Sequence, residues 1–326
     1  MSRPLPVAGR RPVAARELLA VSADGSRIHV EVHGQEGAPA VVLSHGWTCN
    51  TSFWDAQIRD LAVDHRVIAY DQRGHGTSPA AARDGYSTDA LADDLEAVLA
   101  ATLAPGEKAV LAGHSMGGMT IMSASRRPGL REHTAAVLLC STGSSRLLAE
   151  SLVVPMRAGA VRTRLTRAVL GARAPLGPVT PVSKRILKYG TMGPGSAPDK
   201  VDTCARIVHA CPRLPRVAWG QVLAELDLDA GVRELRVPTA VIAGTEDRLT
   251  PPVHARAVAA ALPDCLGLTE LTGMGHMTPV EAPEVVTAKI RELVNTYLPV
   301  VPDRNTAGPT DVGHVEDNAE GKEEVA

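Results

Sequence analysis

Residues 113–118, GHSMGG, place a serine between glycines in the pattern Gly-x-Ser-x-Gly. An apolar, strand-like run precedes this segment and a helix-like stretch follows it. A sharp turn from strand to helix strains the backbone of its central residue, and small neighbours at Gly113 and Gly117 let the two elements pack closely. The pattern therefore predicts that Ser115 is a nucleophile held above a sheet. The alternative is a glycine-rich turn with a bystander serine.

Asp247 and His276 are the predicted partners of this serine. A serine hydroxyl is a weak nucleophile at neutral pH, so it needs a base, and the base needs an acid that orients it. Each of the two residues lies just past a predicted strand, and parallel strands bring the loops that follow them to one edge of the sheet. Glu246 is a second candidate for the acid, but the glycine before this loop and the two prolines after it favour Asp247.

The oxyanion that develops during acyl transfer needs two backbone N–H groups. Met116, the residue after the serine, offers one at the N-terminus of the following helix. The second is expected from the loop SHGWTCN at residues 44–50. There His45 and Gly46 let the backbone turn back toward the serine, and Trp47 is the predicted donor through its main-chain N–H. His45, Gly46 and Trp47 are also the predicted substrate contacts.

Short apolar runs with the length and Val/Ile content of buried strands recur along the chain. They occupy residues 40–44, 66–70, 108–112, 135–140, 238–244 and 266–271. Helical patterns accompany them at residues 53–62, 88–103, 116–127, 252–261 and 283–297. Ahead of the first run, a turn signal at residues 23–26 predicts a hairpin. Strands that alternate with helices predict the α/β class, with a mostly parallel, doubly wound sheet.

The alternation stops at residues 146–232, where the pattern is helical with Pro and Gly interruptions. We expect this stretch to form a helical cap inserted into the core. The core itself is then expected at residues 16–145 and 233–300. Residues 1–15, rich in Pro and Arg, predict a flexible arm, and the polar, acidic residues 301–326 predict a disordered tail.

The amino-acid composition indicates which kind of protein this is. The chain has 326 residues, of which 44% are hydrophobic and 21% charged, and its net charge is −2. These values are typical of a soluble globular protein and give no general attraction to nucleic acid. No apolar stretch has the length of a signal peptide or a membrane span. The five cysteines are irregularly spaced, which predicts reduced thiols, a cytoplasmic location and no metal site, with a Cys204–Cys211 disulfide as the minor alternative.

Residues 151–190 of the predicted cap contain eight Lys and Arg residues and no Asp or Glu. An apolar stripe of helical spacing runs through this stretch and consists of Val161, Leu165 and Val169. Arg164 and Arg167 lie beside it. A solvated basic face is one interpretation of the pattern. The other is a lid that meets an anionic partner, either a lipid surface or an acyl-carrier protein.

Five segments together resemble the α/β-hydrolase superfamily: LSHGW, YDQRGHGTS, GHSMGG, GTEDRLTPP and GMGHM. The resemblance covers residues 25–145 and 235–298, and the chain order Ser, Asp, His is the order of that superfamily. It implies these roles: Ser115 as nucleophile, His276 as base, Asp247 as acid, and Trp47 and Met116 as oxyanion donors. In the second segment, it implies structural roles for Asp71, Arg73 and His75. No cofactor and no metal are predicted.

A serine at the nucleophile position excludes the relatives that form an alkyl-enzyme ester on an aspartate, namely the epoxide hydrolases and haloalkane dehalogenases. The resemblance implies a carboxylic ester hydrolase, esterase-like or lipase-like, that acts on small apolar acyl esters through an acyl-enzyme. A thioesterase, a C–C bond hydrolase and a cofactor-free haloperoxidase-like enzyme use the same triad and remain alternatives. A ligand receptor on this fold is the alternative from another functional class.

Overall fold

A mixed sheet forms the centre of the molecule. The computed structural model describes residues 16–82 and 84–298. Its strands are β1 (Arg16–Val21), β2 (Arg27–His33), β3 (Ala40–Ser44), β4 (Arg66–Tyr70), β5 (Ala109–His114), β6 (Thr134–Cys140), β7 (Thr239–Gly244) and β8 (Cys265–Leu271). They form one eight-stranded sheet in the order β1-β2-β4-β3-β5-β6-β7-β8. Strand β2 pairs antiparallel with β1 and β4, and the other neighbours pair in parallel.

Helices cover both faces of this sheet. In chain order they are α1 (Asp55–Leu61), α2 (Thr88–Thr102), α3 (Met116–Ser123), α4 (Pro128–His133), α5 (Leu147–Glu150), α6 (Ala160–Leu170), α7 (Pro181–Thr191), α8 (Pro198–Ala210), α9 (Arg213–Ala224), α10 (Asp229–Glu234), α11 (Pro252–Ala261), α12 (Thr278–Glu281) and α13 (Pro283–Tyr297). The apolar faces of α2 and α3 pack on one side, and those of α1 and α13 on the other. The predicted α/β class and the mostly parallel, doubly wound sheet are confirmed.

Strand β5 and helix α3, which flank the nucleophile, differ from their predicted ends. Strand β5 continues to His114 because it stays paired with β6 up to Cys140. Helix α3 ends at Ser123 instead of continuing to residue 127. Arg127 has an extended backbone, with φ −71° and ψ 138°, because a following proline disfavours the helical conformation. The chain therefore restarts as α4 at Pro128.

Between β6 and β7 the chain leaves the sheet and forms α5 to α10. This is the stretch predicted as a cap, and the name cap is used for these helices and the loops between them. An antiparallel bridge between Ser145 and Asp227 joins its two ends. Helix α9 buries Trp219, whose indole N–H donates to the carbonyl oxygen of Arg73 at 3.1 Å. The helical segment is thus fastened to the loop that follows β4.

Some predicted regions lie outside the described residues: the arm at 1–15, the tail at 301–326, and the last two core residues at 299–300. Across the described ranges, no helix is both long enough and apolar enough to cross a bilayer. All five cysteines are free thiols, Cys204 and Cys211 included.

Candidate active site

Ser115 occupies the turn between β5 and α3. Its backbone angles are φ 51° and ψ −117°, a strained conformation that costs on the order of 1–3 kcal/mol. A β-carbon added at Gly113 would lie 2.6 Å from the carbonyl carbon of Gly117, and one added at Gly117 would lie 2.1 Å from the carbonyl oxygen of Ser44. The close approach of strand and helix therefore requires both glycines.

Hydrogen bonds on both sides of Ser115 hold the strained turn. Its N–H donates to the carbonyl oxygen of Cys140 at 2.9 Å, and its own carbonyl oxygen accepts the N–H of Met119 at 3.1 Å. The Thr142 hydroxyl donates to the same carbonyl oxygen at 2.7 Å. Because the backbone is fixed in this way, the Ser115 side chain is presented to the cavity described below.

Asp247 and His276 form a buried pair, in which His276 Nδ1 donates to Asp247 Oδ2 at 2.8 Å. The Asp247 carboxylate also accepts the N–H groups of Leu249 and Thr250 at 2.8 and 2.9 Å, and the Thr250 hydroxyl at 2.9 Å. With His276 Nδ1, these donors hold the carboxylate against the imidazole ring. Because Nδ1 carries the proton that it donates to Asp247, Nε2 is the ring nitrogen that is free to accept a proton. Glu246, the competing candidate, is exposed.

Glu281, which was not among the predicted residues, holds the loop that carries His276. Its buried carboxylate accepts the N–H groups of Gly275 and Met277, each at 3.1 Å. From the segment after α7, the N–H of Gly193 donates to the same carboxylate at 2.7 Å. One carboxylate thus joins the His276 loop to the helical cap. No local sequence pattern indicates this role, because Gly193 is far from Glu281 in the chain.

His114, the residue before the nucleophile, links the Ser115 turn to the His276 loop. Its Nε2 donates to the carbonyl oxygen of His276 at 2.9 Å, and its ring stacks on Phe53 with centroids 4.5 Å apart. Burial lowers the pKa of His114 well below its ordinary value, so the ring is neutral and its one proton lies on Nε2. Its position inside GHSMGG was the signal that could have identified it.

The loop after β3 approaches the nucleophile at Gly46. A β-carbon added there would lie 3.1 Å from Ser115 Cβ and 2.7 Å from His114 Nδ1, so this position has no room for a side chain. The loop then turns sharply, with Thr48 at φ 64°, and the Thr48 N–H donates to His75 Nε2 at 3.1 Å. Burial lowers the pKa of His75 to about 3, so its neutral ring accepts this bond.

Of the two predicted oxyanion donors, Met116 directly follows the nucleophile, and Trp47 lines the same cavity as Ser115. Met116 begins α3, where helix geometry leaves its N–H without an intrahelical partner. The Trp47 ring lies beside Gly220 of α9, and its indole N–H donates to the carbonyl oxygen of Arg216 at 3.0 Å. The Trp47 side chain therefore contacts helix α9 of the cap. The main-chain N–H of Trp47 remains the predicted oxyanion donor.

His45, a predicted substrate contact, is not among the residues that line the cavity. The ring is fully buried. Its Nδ1 lies 2.8 Å from the carbonyl oxygen of Gly46, and its Nε2 accepts the N–H of Gln72 at 3.0 Å. His45 is thus a structural residue that holds the oxyanion loop against the loop after β4. The geometry leaves Trp47 as the cavity-lining member of the predicted trio.

A cavity of about 270 Å³ lies between the core and the cap, and both Ser115 and His276 line it. Most of its wall is apolar and comes from the cap, with side chains that include Leu148, Val153, Leu170, Leu187, Val208 and Leu223. The candidate nucleophile and base therefore face a space suited to a hydrocarbon chain.

Residues 41–289 match the sequence pattern of the Alpha/beta hydrolase family. The chain belongs to the α/β-hydrolase family. The matched range includes most of both halves of the core and all of the helical segment between them, so it covers every residue of the candidate site. The predicted resemblance to this family is confirmed.

Two relatives of this α/β-hydrolase align along most of its length. A protein of Variovorax paradoxus (strain S110) assigned as the carbamate hydrolase RutD is 29% identical, over 84% of this chain and 99% of its own. The pimeloyl-[acyl-carrier protein] methyl ester esterase of Xylella fastidiosa (strain M12) is 28% identical, over 82% and 99%. Among solved structures, the esterase RhEst1 from Rhodococcus sp. ECU1013 superposes with a TM-score of 0.70 at 25% identity, over 86% of this chain and 99% of RhEst1.

Proposed function

We propose that this α/β-hydrolase is a serine esterase that cleaves small carboxylic esters with an apolar acyl group, through an acyl-enzyme on Ser115. The observation that carries the proposal is the shared cavity, because Ser115 and His276 line one apolar space and His276 is bonded to the buried Asp247. The relatives named as esterases support ester cleavage as the reaction.

In the proposed first step, Ser115 Oγ attacks the ester carbonyl carbon while His276 Nε2 takes the hydroxyl proton. The carbonyl oxygen becomes an oxyanion that accepts the N–H groups of Trp47 and Met116. The intermediate then collapses, the bond to the alkoxy oxygen breaks, and His276 gives its proton to the leaving alcohol. Asp247 stabilises the imidazolium throughout this step.

The second step releases the acid. A water molecule attacks the acyl carbon, and His276 takes one of its protons. The bond from the acyl carbon to Ser115 Oγ then breaks, and the proton returns to the serine. An apolar acyl chain gains about 0.8 kcal/mol for each methylene that the cavity removes from water, so the cap is the source of chain-length preference in a lipase-like manner.

The test is turnover of p-nitrophenyl esters of graded acyl length by the wild type, Ser115→Ala and Ser125→Ala. Ser125 is a buried serine that does not line the cavity, so its variant is the matched control. We expect Ser115→Ala to lose nearly all turnover and Ser125→Ala to keep it. A higher kcat/KM for an acyl thioester of equal chain length would indicate a thioesterase instead of an esterase. A higher kcat/KM for a β-diketone would indicate a C–C bond hydrolase.

We also propose that the basic face of the cap binds an anionic lipid surface. The exposed apolar side chains of α6 and α7 include Val161, Leu165, Val169, Val182 and Ile186. Val169 and Ile186 also line the cavity, so this face adjoins the space in which the ester would bind. Exposed apolar side chains beside the exposed Arg164 fit a headgroup layer better than they fit a soluble acidic carrier protein.

The five free thiols favour a reducing compartment. We therefore propose a cytoplasmic location, where such a face would meet the inner leaflet of the membrane. Fractionation of cells that produce the tagged protein tests this proposal, and recovery from an oxidising compartment would contradict it.

A further inference from the structure

Among the described residues that line the active-site cavity, Arg216 is the only arginine, and there is no lysine, aspartate or glutamate. It lies on α9, on the face that also presents Gly220 and Leu223 to this space. The spacing of these positions, four and then three residues, is that of neighbours on one side of a helix. A fixed positive charge therefore shares a wall with apolar groups.

Arg216 is 5% exposed. Its Nη2 donates to the carbonyl oxygen of Ala174 at 2.5 Å, and no carboxylate in the described part of the chain lies within 4.0 Å of its guanidinium. The buried Arg73 differs, since its guanidinium donates to both oxygens of Asp94. Arg216 thus keeps a buried charge without a protein counter-ion.

A buried charge with no counter-ion is energetically costly, and an anion that reaches it recovers much of that cost. The guanidinium fork also suits the two oxygens of a carboxylate. Arg216 is the one charged side chain among the described residues that line this largely apolar cavity, so it can balance one negative charge. A phosphate, with up to two charges, would leave an excess negative charge among the leucines of the cap.

We propose that the substrate carries a carboxylate on the part that fills the cap cavity, and that Arg216 binds this carboxylate. The substrate class is then a monoester of a dicarboxylic acid, with its ester over Ser115, its methylenes along the apolar wall and its free acid at Arg216. This inference rests on the proposed ester hydrolysis and narrows it to acidic esters.

The experiment compares the methyl monoester of a dicarboxylic acid with the methyl ester of the monocarboxylic acid of equal chain length. Three proteins are assayed over a graded series of lengths: the wild type, Arg216→Met and Arg162→Met. Arg162 is the matched control, because it is also 5% exposed and also donates to a main-chain carbonyl, that of Ala149, but does not line the cavity.

We expect the wild type to favour the acidic monoester in KM by about tenfold to a hundredfold, the range for a hydrogen bond between charged groups. Arg216→Met should lose this preference through a rise in KM for the acidic ester that exceeds any change for the neutral ester, whereas Arg162→Met should keep the preference. An equal loss on both esters in Arg216→Met would show a purely structural role through Ala174. A wild type that favours the neutral ester would also overturn the inference.

A binding measurement separates this inference from the proposed reaction. In isothermal titration calorimetry, the dicarboxylate should bind the wild type more tightly than the matched monocarboxylate, and Arg216→Met should lose the difference. If no ester is cleaved but this difference is present, the esterase proposal fails and the carboxylate site stands. If esters are cleaved without any charge preference in rate or binding, the carboxylate site fails and the esterase proposal stands.

Discussion

Asp247 and Glu246 are neighbours in the chain, but the first is buried against the base and the second is exposed. Four donors surround the Asp247 carboxylate, and one of them is His276 Nδ1. In the proposed mechanism, a carboxylate in this position orients the imidazole and stabilises the imidazolium that forms when Ser115 loses its proton. We therefore expect neutralising Asp247 to lower kcat much more than neutralising Glu246.

At the residue scale, we expect Asp247→Asn to lower kcat by roughly 10⁴-fold while KM changes little. The asparagine keeps the shape of the side chain but cannot hold the same imidazole tautomer or stabilise the imidazolium. Glu246→Gln, the control one residue away, should retain close to wild-type kcat. Steady-state kinetics on one p-nitrophenyl ester compares the three proteins, and a larger loss in Glu246→Gln would move the acid role to that residue.

The sequence predicts Ser115, Asp247 and His276 as the triad because each stands just past a strand in a short loop of recognisable composition. It does not identify Glu281 or Arg216. Both lie in helical stretches, and their partners include main-chain groups of distant segments, Gly193 and Ala174. Only the packing of the cap on the core brings those groups together, so no local pattern could reveal them.

Elements that are buried on both faces are the ones the sequence predicts best. Strands β3 and β4 begin and end at their predicted residues, and every position in them is buried. Arg66, the charged first residue of β4, is buried through an ion pair with Glu107. The cap helices are harder to place, because helical spacing does not say what a helix packs against. Helix α7 buries no side chain fully, whereas α8 buries five, among them Val201 and Cys204.

Helix α9 allows a test of whether the cap sets the preference for acyl-chain length. Leu223 lines the cavity, and Leu214 on the same helix is 68% exposed. Leu223→Trp should raise KM for long acyl esters more than for short ones, since each excluded methylene removes about 0.8 kcal/mol of binding. Leu214→Trp adds the same bulk outside the cavity, and we expect it to leave the chain-length profile unchanged. Equal profiles for the two variants would place chain-length selection outside the cap.

The basic face on α6 gives a second prediction at this scale. Neutralising Arg164 and Arg167 to Gln should weaken binding to anionic vesicles at low salt, by about 1 kcal/mol for each charge near the surface. Arg126→Gln with Arg131→Gln is the control pair, with side chains 65% and 58% exposed on the core. Vesicle sedimentation measures binding, and hydrolysis of a neutral soluble ester should stay constant. Equal loss in both pairs would indicate general charge attraction instead of a docking face.

Across the whole molecule, several buried histidines couple folding to pH. Burial lowers the pKa values of His45, His75 and His114, while a hydrogen bond to Asp71 raises the pKa of His29. As the pH falls through about 6.5, each of the first three therefore binds fewer protons in the fold than in the unfolded chain. The unfolded state then binds more protons, so the free energy of unfolding falls as pH decreases. His29 acts in the opposite direction but is outnumbered.

We expect urea denaturation to show a falling free energy of unfolding between about pH 7 and pH 5, with a slope of up to about 1.4 kcal/mol per pH unit for each such histidine. His75→Gln keeps an acceptor for the Thr48 N–H but cannot be protonated in the unfolded state. The free energy of unfolding of this variant should therefore fall less steeply with decreasing pH than that of the wild type. The difference in slope should be up to about 1.4 kcal/mol per pH unit, the contribution of one proton, whatever the stability of the variant at pH 7. An unchanged slope would show that His75 does not contribute.

The most direct test of the account is the mass of the protein quenched during turnover of a p-nitrophenyl ester, followed by peptide mapping of the adduct. We expect a mass increase of one acyl group, confined to the peptide that contains Ser115 and absent from Ser115→Ala. An acyl group on another residue, or ester turnover by a protein whose Ser115 has been replaced by alanine, would contradict it.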